Sequence, residues 1–263
     1  MTGQTGQEVA SNRDWSKFGF DQFTCTSGAR LAHFAGSARG KSVLDVGAGT
    51  GSVAIAAARL GADVTGIELV QALIDRGVAN ASLAEVDVRW QQGNAQTLPF
   101  PDAHFDICTS QFAHVFMPDP ALAAREMLRV TKPGGTVALS VYLWKSCVSE
   151  ISDVISRYVG YAPGKEPRPW DWGKPDYVMS TLGEEAGEYS FDTYTIRAPY
   201  MSPQHHRDHL EASCADATAL RGRLDPAALA AFRREVDSVI ARYYEPQESS
   251  LRLEVLLTKI VKR

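Results

Sequence analysis

The chain has 263 residues, of which 44% are hydrophobic and 22% charged, and its net charge is −4. This balance is typical of a folded globular protein and leaves no basic surplus for a phosphate backbone, so nucleic acid is not expected as a partner. The polar N-terminus lacks the apolar stretch of a signal peptide, and no apolar run is long enough to span a bilayer, which predicts a cytoplasmic protein. The four cysteines lack the spacing of metal ligands, and no metal site is expected.

Short β-rich runs alternate with helical segments through the first half of the chain. The expected strands are residues 42–47, 63–69, 87–94, 104–112 and 136–144. Helices are expected between them, one ending at Gly61, one over residues 70–81, and one that begins near Pro120 and leaves by a Pro-Gly-Gly turn. This alternation predicts parallel βαβ units in a doubly wound α/β sheet.

The pattern changes beyond residue 144. Residues 145–173 begin as a helix and become a loop rich in Pro, Gly and Trp, which predicts a lid inserted over one end of the sheet. Further elements are expected as a helix over 174–187, a strand over 189–200, helices that begin at the Ser202-Pro203 and Asp225-Pro226 pairs, and a last strand from residue 251. We therefore expect a single domain with an N-terminal arm and helix (1–37), a core (38–144), the lid (145–173), and C-terminal helices with the last two strands (174–263).

A glycine-rich turn follows the first strand, in the stretch VLDVGAGTGSVAIAAARLGADVTGIEL, residues 43–69. Gly47, Gly49 and Gly51 stand at every second position, where a missing Cβ lets the backbone turn sharply and approach a ligand. The dinucleotide fingerprint has its third glycine one residue later, where Ser52 stands here. Glu68 ends the second strand and can accept both hydroxyls of a ribose diol. The pattern predicts a ribose ligand, and a dinucleotide and a nucleoside without pyrophosphate are both compatible with it.

This stretch resembles motif I and the acidic second-strand motif of the class I S-adenosylmethionine-dependent methyltransferases. The resemblance continues in GNAQTLPFPDAHFD, in FMPDPALAAREMLRVTKPGG and in LGEEAGEY. It is close over residues 38–144 and looser over 174–200, in the style of the type 11 or ubiquinone/menaquinone methyltransferase-like group. It implies a seven-stranded, mostly parallel Rossmann-like sheet with an antiparallel last strand, S-adenosylmethionine as cofactor and S-adenosylhomocysteine as product.

The resemblance also implies which residues surround the cofactor. Those expected to contact it or to order its turn are Asp45, Gly47, Ala48, Gly49, Gly51, Glu68, Leu69, Asn94, Ala95, Ser110 and Gln111. Glu68 would hold the ribose diol and Leu69 would pack against adenine. Asn94 stands where the family usually has Asp, so its contact with the adenine amino group would carry no charge.

Methyl transfer is an in-line displacement, so it depends mainly on alignment and the exclusion of water. A general base is needed only where the acceptor must lose a proton, and His114, after the fourth strand, is the candidate. The alternative is a loop histidine that only packs. Residues expected to bind the acceptor are Phe112, Tyr142, Trp144, Trp170 and Trp172, and the alternative is that these rings only hold their loop. Trp15, Phe18 and Phe20 are expected either to close the other side of the cofactor or to form a packed arm.

These observations favour a methyltransferase that acts on a small, hydrophobic or aromatic metabolite. The alternatives are a cofactor-binding enzyme that does not methylate, such as a cyclase, and an NAD-dependent oxidoreductase. The helical stretch 201–245 is expected to cover the acceptor pocket or to form a homodimer surface. The acceptor molecule and the acceptor atom cannot be read from the residues.

Overall fold

The computed structural model describes residue 19 and residues 21–160 and 168–263. Trp15, Phe18 and Phe20 lie outside the described residues, as does the middle of the expected lid. Among the described residues, no helix combines the length and the apolarity needed to cross a bilayer.

The strands of the described residues form one sheet. They are β1 (Ser42–Val46), β2 (Asp63–Glu68), β3 (Arg89–Gln92), β4 (Phe105–Gln111), β5 (Thr131–Tyr142), β6 (Gly187–Pro199), β7 (Tyr244–Glu245) and β8 (Ser250–Lys262). The order across the sheet is β3-β2-β1-β4-β5-β8-β6, and the two-residue β7 also pairs with β8. Neighbours among β1 to β5 are parallel, whereas β8 is antiparallel to β5 and β6. The predicted doubly wound, mostly parallel sheet is confirmed.

Helices cover both faces of the sheet. They are α1 (Asp21–Ala35), α2 (Ser52–Arg59), α3 (Gln71–Leu83), α4 (Pro120–Val130), α5 (Cys147–Val159), α6 (Pro175–Leu182), α7 (Pro203–Ser213), α8 (Ala215–Arg223) and α9 (Pro226–Tyr243). The predicted starts at proline are confirmed, because Asp119, Ser202 and Asp225 each accept a backbone N–H in the first turn of the helix that follows.

The Pro-Gly-Gly segment differs from its predicted role as an exit turn. α4 ends at Val130, β5 begins at Thr131, and the pairing of β4 with β5 shifts register between Phe105 and Ile107. The glycines therefore form a bulge inside β5. A Cβ on Gly135 would lie 2.8 Å from the carbonyl oxygen of Asp106, so only glycine lets the two backbones approach this closely.

The C-terminal helices bury their own apolar stripe. Phe232, Val236 and Ile240 of α9 have no exposed surface and pack in one cluster with Ile151 of α5. Tyr142 at the end of β5 and Trp170 belong to the same cluster. Part of the helical stretch 201–245 is thus packed inside the chain, against the segment that was expected to form a lid.

Candidate functional site

The glycine turn between β1 and α2 is anchored to the second strand. The backbone N–H groups of Gly47 and Ala48 both donate to the carbonyl oxygen of Ile67, at 2.9 and 3.1 Å. Gly47, Gly49 and Gly51 have φ angles of +66°, +56° and +96°, a region that side chains with a Cβ rarely adopt. Open space faces Gly49, since a Cβ built there would meet no heavy atom within 4 Å.

Asp45 supplies the helix cap that Gly51 lacks. Its carboxylate is buried in β1 and accepts the backbone N–H of Ala54, in the first turn of α2, at 3.1 Å. It also accepts the Thr109 hydroxyl of β4 at 2.9 Å. Burial raises the pKa of Asp45 to about 7, and its hydrogen bonds with Thr109 and Ala54 only partly oppose this.

The Glu68 carboxylate connects the end of β2 with the glycine turn. One oxygen accepts the backbone N–H of Leu69 at 2.9 Å and of Val70 at 3.0 Å, and the other accepts that of Gly49 at 3.0 Å. The side chain is thereby fixed in orientation, with only 9% of Glu68 exposed. A carboxylate offers about four acceptor positions, and three backbone N–H groups use three of them, so one position on the oxygen facing Gly49 remains for a ribose hydroxyl.

An apolar side chain and an amide stand next to Glu68. Leu69 is 62% exposed, so an apolar side chain is accessible beside the carboxylate. Just after β3, Gly93 donates its N–H to the carbonyl oxygen of Glu68, which places Asn94 beside the end of β2. The Asn94 side-chain oxygen accepts the N–H of Gln96 at 2.9 Å, whereas Ala95 points into the core.

Ser110 and Gln111, at the end of β4, make contacts within the chain. The Ser110 hydroxyl accepts the backbone N–H of His114 at 3.3 Å. The Gln111 amide donates to the carbonyl oxygen of Thr24 at 2.9 Å and to the hydroxyl of Ser27. Gln111 therefore joins β4 to α1, whereas Ser110 holds the loop that follows β4.

Aromatic rings gather where β4 and β5 end. Phe112 stacks on Tyr142 at 4.4 Å between ring centroids with an interplanar angle of 7°. Trp170 meets the ring of Phe116 at 5.6 Å, and only 4% of Trp170 is exposed. A Cβ on Gly173 would lie 2.4 Å from the carbonyl oxygen of Tyr142, so this turn rests directly on the end of β5.

His114 is completely buried beside this group. Its ring meets the edge of Trp172 at 4.9 Å, and neither ring nitrogen has a hydrogen-bond partner within the described part of the chain. Burial lowers the pKa of His114 to about 3, so the imidazole is neutral near pH 7. A buried polar ring without a partner is rare in folded proteins and points to a contact with water or a ligand.

Trp144 is separate from the other expected acceptor residues. It is 39% exposed, and the ammonium groups of Lys145 and Lys174 lie 4.3 and 4.8 Å from its ring centre. The structure thus brings together Phe112, Tyr142, Trp170, Trp172 and His114, and leaves Trp144 at the surface.

Two features of the site were missed from sequence. A Cβ on Gly47 would lie 2.5 Å from Cβ of Ala113, so the loop after β4 packs directly on the glycine turn. The indole of Trp90 on β3 lies against Gly51 of the same turn. Ala113 and Trp90 belong to no motif. Only the hydrophobicity of Trp90 within a strand could have drawn attention to it.

No group of His, Cys, Asp and Glu side chains suited to a metal ion occurs among the described residues. His205, His206 and His209 instead surround the ring of Tyr200, whose hydroxyl pairs with Nδ1 of His209 at 2.7 Å.

Comparison with known proteins identifies the family of the sheet-forming core. Residues 44–139 match a family model described as a methyltransferase domain. These residues belong to the methyltransferase domain family.

An uncharacterized protein of Mycobacterium tuberculosis is 34% identical over 157 residues, which are 60% of this chain and 57% of that protein. An uncharacterized methyltransferase of Mycobacterium sp. strain KMS is 36% identical over 173 residues, 64% of this chain and 66% of that protein. The match thus spans little more than half of the first relative.

Solved structures share the fold of the methyltransferase domain. The YcgJ protein of Bacillus subtilis superposes with a TM-score of 0.60 at 21% identity, covering 90% of this chain and 98% of that chain. A phosphoethanolamine N-methyltransferase of Haemonchus contortus, in complex with S-adenosylhomocysteine, has a TM-score of 0.57 at 16% identity over 90% and 53% of the two chains. The cyclase SpnF has a TM-score of 0.54 at 20% identity over 90% and 80%. At these identities the likeness concerns the Rossmann-like methyltransferase fold alone.

Proposed function

We propose that this protein transfers a methyl group from S-adenosylmethionine to a small, hydrophobic or aromatic metabolite. The observation that carries the proposal is the cradle around Glu68. Open space faces Gly49, a fixed carboxylate ends β2, and the exposed side chain of Leu69 follows it. A nucleoside needs an acceptor for its ribose and an apolar surface for its base, so these residues fit the cofactor.

The proposal assigns the cofactor contacts to the carboxyl ends of β1 to β4. The methionine and ribose would lie along Gly47, Ala48, Gly49 and Gly51, with Ser110 and Gln111 beside the methionine. Glu68 would accept from the ribose, Leu69 would cover adenine, and Asn94 and Ala95 would lie at its amino group. When bound, the cofactor supplies an activated methyl group, and the chain has to align the acceptor with it.

The aromatic cluster supports an apolar acceptor. Stacked rings such as Phe112 and Tyr142 present flat apolar surfaces, and burial of the cluster excludes water from the reacting groups. Trp170 and Trp172 would close over the acceptor, and Trp144 would contact it from the surface.

His114 is the proposed general base for a hydroxyl acceptor. A neutral imidazole with two unpartnered nitrogens can accept a proton directly. With a pKa of about 3 it is a weak base, because burial disfavours its charged form. A hydroxyl acceptor would donate to the unprotonated ring nitrogen and would be oriented by it. Its proton becomes more acidic as the oxygen gains the methyl group, so a weak base can take it at that stage. For a nitrogen acceptor that is already unprotonated, no base is needed, and the same ring would only orient the acceptor.

Calorimetric titration tests the cofactor first. S-Adenosylmethionine, S-adenosylhomocysteine and NADH are titrated in parallel into the purified protein. The control for loss of a carboxylate outside the site is Glu188→Gln, since Glu188 is exposed on β6. We expect binding of the two sulfur nucleosides and none of NADH. Binding of NADH alone would overturn the proposal in favour of an oxidoreductase.

Product formation then separates methyl transfer from a cyclase-like role. Aromatic and aliphatic hydroxy and amino compounds are screened for acceptor-dependent release of S-adenosylhomocysteine. Cofactor binding without release for any acceptor that binds would favour the non-methylating alternative. The proposal includes a cytoplasmic location and a homodimer, and light scattering on the purified protein tests the latter.

A further inference from the structure

The indole of Trp90 occupies a slot lined by glycines from three separate elements. Gly51 lies at the start of α2, Gly66 in β2 and Gly77 in α3. A Cβ on Gly77 would lie 2.5 Å from Cη2 of the indole, one on Gly51 3.0 Å from the same atom, and one on Gly66 3.1 Å from Cε3. The ring therefore fills the volume that a side chain at any of these positions would need.

Backbone conformation does not explain two of these glycines. Gly51 has a positive φ, but neither Gly66 nor Gly77 has one. Glycine in the interior of a strand or a helix weakens that element, because it loses more conformational freedom on folding than other residues do. The close approach of Trp90 accounts for glycine at both positions.

The slot lies directly under the proposed cofactor contacts. Gly66 is two residues before Glu68, and a Cβ on Gly66 would also lie 3.2 Å from Cβ of Ala48 in the glycine turn. Gly51 ends that turn, and α3 begins at Gln71, just after Glu68 and Leu69. The three elements that meet at the indole are thus those that present Gly49 and Glu68.

We infer that Trp90 is a positioning residue for the cofactor site. Its ring sets the spacing between the glycine turn, β2 and α3, and so holds the Gly49 N–H and the Glu68 carboxylate at their 3.0 Å separation. Trp90 is half-buried, but its ring is wedged between three backbone segments and cannot shift toward them without displacing one of them. The inference rests on the proposed function, since it assigns Trp90 a role in binding S-adenosylmethionine.

A pair of glycine substitutions tests the slot. Alanine normally favours a helix over glycine, and Gly222 in α8 has no atom within 4 Å of a built Cβ, so Gly222→Ala should keep or raise the melting temperature. Gly77→Ala should lower it by several degrees, because its methyl meets the indole. In a Trp90→Leu background, Gly77→Ala should no longer be harmful. Equal behaviour of Gly77→Ala and Gly222→Ala in the otherwise unchanged protein would overturn the inference.

Cofactor affinity tests the positioning role. S-Adenosylhomocysteine is titrated into the unchanged protein, Trp90→Phe, Trp90→Leu and Phe232→Leu, well below the melting temperature of each. Phe232, fully buried in α9, serves as the control for general destabilisation. We expect Kd to rise about tenfold in Trp90→Leu and less in Trp90→Phe, with no change in Phe232→Leu. Absence of binding in the unchanged protein would overturn the proposed function, whereas equal Kd in the unchanged protein and Trp90→Leu would overturn only this inference.

Discussion

The carboxyl edge of the sheet carries two regions that differ in how their polar groups are satisfied. In the proposed cofactor region, which is the glycine turn with Glu68 and Leu69, the carboxylate accepts three backbone N–H groups. In the proposed acceptor region, which is the aromatic cluster with His114, both nitrogens of a fully buried imidazole have no partner among the described residues. The first region is also open, with Leu69 62% exposed, whereas only 2% of Trp172 is exposed in the second.

The first region is therefore preorganised for a ligand, whereas the second is closed by packed rings. A carboxylate already held by backbone donors needs little ordering when a ligand arrives, so binding there loses little conformational entropy. An acceptor that reaches His114 has to move packed rings, because Trp172 lies against the imidazole and Trp170 against Phe116. We therefore expect cofactor affinity to depend on few residues and acceptor selectivity to depend on the packing around Trp170 and Trp172.

The largest effect is expected from Glu68→Ala. It removes the ribose acceptor and leaves three backbone N–H groups without their carboxylate, so Kd for S-adenosylhomocysteine should rise about a hundredfold. Calorimetry measures this. Glu68→Gln keeps one acceptor oxygen and should lie between Glu68→Ala and the unchanged protein. Unchanged affinity in Glu68→Ala would show that the cofactor region is elsewhere.

Gly47→Ala and Gly49→Ala compare the two sides of the glycine turn, one of which packs on the loop after β4 and the other of which faces open space. Both place a Cβ at positive φ, but only Gly47 faces the acceptor-side loop, where its methyl would meet Ala113. We expect Gly47→Ala to lower the free energy of unfolding by about 1–3 kcal/mol. Gly49→Ala should lower it by about 1–2 kcal/mol. Both variants should weaken cofactor binding, because both glycines lie in the turn that is proposed to hold the cofactor. Urea denaturation and calorimetry measure the two quantities.

Gly134→Ala is the matched control for Gly49→Ala. Gly134 has φ +72° and open space around it, but it lies in the β5 bulge, away from the cofactor region. It should match the stability loss of Gly49→Ala and leave cofactor affinity unchanged. An equal loss of affinity in both variants would mean that the open space at Gly49 is not used by the cofactor.

Much of the fold and the geometry of the glycine turn could be predicted from sequence, for local reasons, whereas the cofactor contacts stay a prediction. Buried parallel strands are short apolar runs bounded by turn residues, and a chain that turns at positive φ uses glycine, as at Gly47 and Gly49. The β5 bulge could not be predicted, because Pro-Gly-Gly has the same composition in a turn and in a bulge. The acceptor region depends on contacts between distant segments, so sequence could name His114 and Trp172 but not their packing.

The slot around Trp90 also depends on contacts between distant segments, which sequence does not show. Its three glycines come from a turn, a strand and a helix, and no periodicity connects them. Each glycine taken alone is accounted for by a common local interpretation, such as a turn or a weak point in a helix. Only the register of β2 with β3, which places Gly66 opposite Trp90, brings them to one ring.

The pH dependence of stability probes the buried imidazole. The folded-state pKa of His114 is about 3, below its ordinary value of 6.5, so the unfolded chain binds a proton first as the pH falls. The contribution of this group to the free energy of unfolding should therefore fall below about pH 6.5, by up to about 1.4 kcal/mol per pH unit. Asp45, whose folded-state pKa is raised to about 7, contributes in the opposite sense, so the difference between the protein and its His114 variant is the quantity to compare. His114→Phe should lack this part of the slope. Urea denaturation of both proteins between about pH 5 and 8 measures the difference, and parallel curves would contradict burial of the neutral ring.

The smallest stability effect is expected from Trp144→Ala. Its ring is partly exposed and contacts the ammonium groups of Lys145 and Lys174, and such surface contacts contribute about 0.5–1 kcal/mol. Trp170→Ala, which empties a buried position, should instead cost about 3–5 kcal/mol. If Trp144 contacts the acceptor as proposed, its removal should raise KM for the acceptor while the melting temperature hardly changes. An unchanged KM would confine the acceptor to the buried rings, since Trp144 is the expected acceptor residue that lies outside their cluster.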